Sequence, residues 1–260
     1  MAEVFTKVTI LPHYALGFIF TWEIAQSCMD AAPWSFTVEE APTASGPWTA
    51  ISPVLLNTHH YVELTKRVGN KNLTLFFRIK MVTKVRTYYS SPREPYMDLG
   101  RREFLIARDI MRREVLHAKT LAGGLAKVWI RSTFGPRCTV CRDPVTDDVL
   151  NSACPVCYGT GRNPGFYGPF DLWFVPTPTQ RDTVMAPDGT GTREPVSNVL
   201  KTIGFPHMKD GDIIVDTSSG KRYYSDSVVQ AVELRGYPLV QQIEGREIPT
   251  SDPVYNLLTL

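Results

Sequence analysis

A chain of 260 residues has room for one large domain or two to three small ones. Its formal net charge of +2 excludes a global electrostatic field of the kind that draws nucleic acid. Twenty prolines and eighteen glycines, spread along the chain, favour many short strands and loops over long helices.

The opening Met1-Ala2-Glu3 carries neither a basic region nor a long apolar core, so no secretory signal is expected. No segment approaches the length of a membrane span. These features lead us to expect a soluble protein made in a reducing cytoplasm. Strand-like alternation begins at residues 4–8 and continues through residues 14–24 around Trp22. Cys28 follows in an apolar stretch and is expected to be a buried thiol. Residues 34–39, 48–51, 61–64 and 73–82 complete a set of short strands, with Ala44-Ser45-Gly46-Pro47 as a turn. Such a run predicts an antiparallel sandwich. The segments FTWEIA, FTVEEA, WTAIS, LFFRIKMV and TYYSSP resemble the strands of a fibronectin type III domain over residues 4–92. The usual tyrosine at the start of the penultimate strand is Leu75 here, so the tyrosine-corner hydrogen bond is missing. The resemblance implies a spacer or docking module and names no ligand.

A helix is predicted from an N-cap at Asp98 to about residue 121, ended by Gly123-Gly124. Asp98/Arg102 and Asp109/Arg113 are favourable i,i+4 pairs. Phe104, Ala107, Met111, Val115 and Ala118 share one face, Leu105 and Leu116 lie on a second side, and Leu99, Ile106, Ile110 and Leu121 on a third. Arg101, Arg108 and Arg112 form a basic stripe between the first two. A helix apolar on several sides has to be covered on several sides. Flanking domains of the same chain and neighbouring subunits are both open as the cover.

The chemistry-bearing residues follow. Cys138 and Cys141 form one C-x-x-C, and Cys154 and Cys157 form another twelve residues later. Two such knuckles place four thiolates as zinc takes them in a closed structural site. Glycines after the second knuckle, Gly159 and Gly161, let backbone N–H groups turn toward sulfur. Disulfides across the pairs are an alternative. A redox C-x-x-C is disfavoured because neither pair sits between a strand and a helix. The C-P-x-C-x-G-x-G pattern resembles the zinc module of the DnaJ-type chaperones, and this implies the metal, Zn2+, without the chaperone activity. Strands are expected on either side, at residues 127–131 and 171–175. Arg131, Arg137, Arg142 and Arg162 lie near the knuckles in sequence. Asp143, Asp147 and Asp148 lie between the knuckles, where a turn-forming role outweighs a catalytic one.

Residues 176–198 read as a long loop or arm rich in Pro, Thr, Asp and Gly. A hairpin is predicted over 211–228, then a further strand over 229–234, and a strand or arm over 239–243. The prolines near the end, Pro249 and Pro253, predict an extended tail over 248–260 that has to lie on something to be ordered, and a neighbouring subunit is the expected cover. GDIIVDTSSGKRYYSDSV resembles the small β-barrel of neck and head–tail joining proteins of tailed bacteriophages, and IPTSDPVYNL is similar to the short terminal segments of such proteins. Nucleotide-binding, nucleophile-elbow and zinc-protease motifs are missing, and His13, His59, His60, His117 and His207 have no metal spacing.

The reading is a mainly β protein. Residues 1–92 form a fibronectin type III-like sandwich, 93–125 a connecting helix, 126–175 a strand-flanked four-Cys zinc module resembling a zinc ribbon, and 176–260 a β-rich C-terminal domain or small barrel. The phage resemblance implies a non-enzymatic virion component assembled in the host cytoplasm. It would be a cyclic homo-oligomer around the DNA channel, contacting portal, adaptor, tail or collar proteins and no membrane, with non-specific contact to packaged DNA compatible. The alternative is a zinc-containing nucleic-acid-binding or adaptor protein.

Overall fold

Alternation of apolar and polar side chains builds two β structures in succession. The structure, a computed structural model, describes residues 4–13, 17–25, 33–63, 75–94, 101–143, 146, 148–177, 197–235 and 237–257. The chain is mainly β and divides into two compact units, Met1–Arg108 with Phe134–Pro136, and Asp109–Thr133 with Arg137–Leu260. The expectations for Cys28, Asp98, Leu99 and Asp147, and for 178–196 within the long loop, fall outside the described residues.

The first unit holds two antiparallel sheets. One is ordered β1 (Phe5–His13), β2 (Gly17–Ile24), β6 (His60–Glu63). The other runs β4 (Thr49–Ala50), β3 (Ser35–Ala41), β7 (Phe76–Val82), β8 (Thr87–Tyr89), with β5 (Leu55–Leu56) also on β3. Residues two apart in a strand share a face. Thus Phe18, Phe20, Trp22 and Ile24 meet Phe36 and Val38 and Phe77, Ile79 and Met81 in one core. Trp22 is buried with its ring 5.4 Å from that of Phe36. Leu75, just before β7, packs against this core. On the outer face Arg78 is paired with Glu39 at 2.6 Å and lies 4.2 Å from the Trp48 and Tyr89 ring centres.

Helix α1 spans Arg101–His117 and passes into a π-helical turn, Ala118–Ala122. Gly123 ends it: its N–H returns to the Ala118 carbonyl, and an added Cβ would collide with the Ala118 and Phe174 carbonyl oxygens. The expected Asp109–Arg113 pair forms at 2.9 Å, in solvent, where it is worth a few tenths of a kcal/mol. Ala107, Met111 and Ala118 are buried, as one face of the helix requires. Leu105 and Leu116 on the second side, and Ile106 and Leu121 on the third, are exposed by 42, 60, 45 and 73%.

The second unit is a closed six-stranded antiparallel barrel. Its strands are β9 (Gly124–Arg131), β10 (Phe166–Thr177), β11 (Ser197–Ile203), β12 (Ile213–Asp216), β13 (Arg222–Leu234) and β14 (Tyr237–Glu247). Their order around the barrel is β10-β11-β14-β13-β12-β9. Closure removes the open edges that invite strand addition. The strands that flank the cysteines, β9 and β10, pair directly with each other and belong to this barrel. β12 and β13 make the expected hairpin, Ile213 opposite Tyr224. The sequence suggests a break between residues 228 and 229, but β13 is continuous. Its register shifts at Ser225/Ser227 and Gln230/Val232, and these bulges interrupt the alternation that marks a strand.

β12 is buried on both faces. Ile214 lies opposite Val128, while Ile213 and Val215 cluster with Ile248 and Val254 of the tail. Ile248 and Val254 of the tail are therefore covered within the chain. Residues 248–257 lie on their own barrel, ending in the helical turn α2 (Val254–Leu257), with Tyr255 4.0 Å under the Arg222 guanidinium. Burial of Ile248 and Val254 supplies the cover that the sequence did not identify.

Candidate metal centre

The segment between β9 and β10 has little apolar material of its own. Val140, Leu150 and Val156 face solvent at 64, 71 and 40% exposure, and the buried cluster consists of Cys138, Cys141, Cys154 and Cys157. Backbone hydrogen bonds draw the two knuckles together. Cys138 N–H donates to the Gly161 carbonyl at 3.0 Å, and Leu150 N–H to that of Cys141 at 2.8 Å. Isolated bridges join Arg137 to Arg162 and Arg142 to Val149. Within the second knuckle, Tyr158 N–H donates to the Cys154 carbonyl at 2.9 Å, and Thr160 N–H to that of Cys157 at 3.1 Å. Gly159 has φ +77°, and a side chain there would meet the Ser152 carbonyl oxygen at 2.6 Å. Gly161 has φ +69° and would place a Cβ 2.7 Å from Val149.

The four sulfurs lie within 4.8 Å of one another. The Cys138–Cys154 distance is 3.9 Å and the Cys141–Cys157 distance 3.1 Å. A disulfide would hold sulfurs at about 2.05 Å, and all four thiols are free. A tetrahedron with metal–sulfur bonds of about 2.3 Å has edges of about 3.8 Å. The cluster is therefore compatible with a metal such as zinc. Four sulfurs fill such a coordination sphere and leave no position for a substrate.

Burial pushes the Cys141 and Cys157 thiols up. Burial acts the same way at Cys154, but N–H groups of Cys157 and Val156 directed at its sulfur, with the Cys141 and Cys157 thiols, bring it down to about 7. The Gly161 N–H points similarly at Cys157. These donors are of the kind that hold thiolates in a metal site, and they are what the glycines after the knuckle permit.

Other candidates resolve into structural roles. Asp143 accepts from Thr146 N–H at 3.2 Å, a turn contact. His59 is enclosed by the Trp22, Trp34 and Phe36 rings. Burial lowers His60 to about 4. His207 Nδ1 is 3.2 Å from Gln230 Nε2. Asp216 closes the β12–β13 turn, accepting from Ser218 and Ser219 hydroxyls at 2.7 and 2.6 Å. Among the described residues, the four cysteines form the cluster with metal-ligating geometry. Asp212, by contrast, is 1% exposed and joins distant segments. Its two oxygens each accept a backbone N–H at 2.7 Å, from Arg131 and from Lys209. It thereby ties β9 to the turn before β12. Burial raises its carboxyl to about 7 against the pull of those donors and of Lys209 and Arg131.

No helix among the described residues is long and apolar enough to cross a membrane. No family model matches the chain, and no curated protein matches it.

Proposed function

We propose that this chain is a structural subunit of a tailed-phage virion, of the neck or head–tail joining type. It assembles into a cyclic homo-oligomer around the DNA channel, in contact with portal, adaptor, tail or collar proteins, after synthesis in the host cytoplasm. The observation that carries this reading is the uncovered apolar surface of α1, Leu105 and Leu116 on one side and Ile106 and Leu121 on another. Large apolar side chains left exposed along one helix offer a surface for a partner, and head-to-tail contacts between identical copies close a ring. Ile248 and Val254 of the tail are spent on the chain's own barrel.

The other parts suit an assembly component that does no chemistry. The two-sheet unit with its aromatic core supports a fibronectin type III-like module serving as spacer or dock. The four thiols take zinc, which makes the segment between β9 and β10 a zinc-ribbon-like insertion fastened to the barrel. The barrel supplies a rigid body without open strand edges.

The test is the mass of the full-length chain by sedimentation velocity, set beside a Leu105→Glu/Leu116→Glu variant. Both side chains face solvent, so the variant keeps its fold. The reading expects a discrete multimer for the parent and a monomer for the variant. A monomeric parent at all concentrations, or a variant of unchanged mass, overturns it.

A further inference from the structure

Arg131 ends β9, Arg142 and Arg162 flank the two knuckles, and Lys209 precedes β12. Strand pairing between β9 and β12 and the fastening of the cysteine module bring these four cations to one open cavity of about 340 Å³ in the second unit. We infer that this cavity binds a phosphate group of a nucleic-acid backbone.

The charge arrangement carries the inference. Asp210 and Asp212 also line the cavity, two acidic groups against four cations, and both oxygens of Asp212 accept backbone N–H groups, from Arg131 and Lys209. Asp212 thus fixes the backbone under two of the cations. Arg142 is oriented by Nη1 donating to the Gly161 carbonyl at 3.2 Å. Among the described residues, neither the Arg131 nor the Lys209 side chain enters a salt bridge. Cations held in one concavity repel one another and draw an anion with several acceptor oxygens. Three hydroxyl side chains in the lining add donors suited to the same oxygens.

The lining also favours a polymer backbone over a base. It contains no aromatic side chain on which a base could stack. Arg131 and Lys209 are exposed, within reach of a chain lying across the opening. Contacts of this type position a nucleic acid without reading its sequence. The net charge of the whole protein gives no hint of this, because the cations are gathered locally while the total is only +2.

The phosphate site does not depend on ring assembly. Its test uses the full-length, metal-loaded chain and a fluorescein-labelled DNA duplex of arbitrary sequence, followed by anisotropy over a salt series. Arg131→Gln/Lys209→Gln is compared with the parent and with Lys221→Gln, an exposed lysine outside the cavity, paired with Glu247 at 3.2 Å. The double variant is expected to bind about tenfold or more weakly, with the slope of log K against log salt reduced by about 2, one for each phosphate no longer neutralised. Retained zinc and an unchanged melting curve establish that the variant is folded, and the Lys209→Gln single variant should show half the slope change. Unchanged DNA affinity, an equal loss in Lys221→Gln, or cavity-dependent binding of inorganic phosphate without binding of DNA each overturns the inference. Rings that form normally while cavity-dependent DNA binding is missing refute this inference alone. Cavity-dependent binding by a monomer refutes the assembly reading alone.

Discussion

Removing the metal should open the cysteine module and leave the barrel standing. The four thiols are the buried cluster of residues 138–157, whereas the barrel core is built from other side chains, among them Val128, Leu172, Ile214 and Ile243. A ligand that binds the closed module and not the open one stabilises it by about 4 kcal/mol when free metal exceeds the dissociation constant about 1,000-fold. Stripping it therefore raises the open fraction about 10³-fold. The amides that should report this are Cys138 and Leu150, whose hydrogen bonds to Gly161 and Cys141 span the module. Hydrogen exchange read by mass spectrometry, before and after chelation under reducing conditions, should show those peptides exchanging about 10³-fold faster. Peptides covering the Ile213–Tyr224 pairing should change little. Some loosening is expected beside Tyr158, which packs against the Ile213 and Val215 cluster. Cys154→Ser should mimic chelation. Equal protection of the module with and without metal, or simultaneous loss across the barrel, would show that metal does not close this module separately from the barrel.

In the first unit Trp22→Ala should cost about 3–5 kcal/mol in urea unfolding, since the ring is 1% exposed and set against Phe36; a near-neutral result would contradict its place in the core. Ile248→Ala should destabilise the barrel by about 2–5 kcal/mol without changing oligomer mass, because Ile248 covers Ile213 and Val215 of the same chain. A change in mass with unaltered stability would return the tail to a neighbouring subunit. Asp212 gives a pH dependence: its folded value of about 7 lies above the ordinary 3.8, so its contribution is fully present below pH about 4 and is lost as pH rises through 7. Asp212→Asn deprives one backbone N–H of its acceptor, at a cost of about 1–3 kcal/mol. The parent's advantage over the variant should fall by up to about 4 kcal/mol between about pH 4 and 8, more than that cost, so that the variant becomes the more stable of the two at the upper end; a difference constant with pH would show that this carboxyl does not titrate there.

The parts of the molecule that sequence made legible depend on neighbours in the chain. Period-two patterns mark β2, β3 and β7, because Phe18-Phe20-Trp22, Phe36-Val38 and Phe77-Ile79-Met81 each put one side of a strand into a core. The four-cysteine cluster is legible from spacing, and the end of the helix from Gly123, where backbone crowds the missing Cβ. What escaped depends on contacts between distant segments. β9 and β10 look like borders of a separate module, yet hydrogen bonding to β12 and β11 makes them barrel staves. Bulges in β13 hide its continuity. Ile248 and Val254 are two apolar residues in a proline-bearing tail, and nothing near them in the chain says that β12 is their partner. Lys209 and Asp212 join Arg131 only through the β9–β12 pairing, more than seventy positions apart, so no local signal announces the cavity.

Assembly of identical copies is tested by an electron-microscope image of the purified full-length chain, averaged by class. Closed rings of uniform copy number around an opening wide enough for duplex DNA are expected, and their loss in Leu105→Glu/Leu116→Glu. Isolated single copies in every class, with α1 bare of any neighbour, would contradict it.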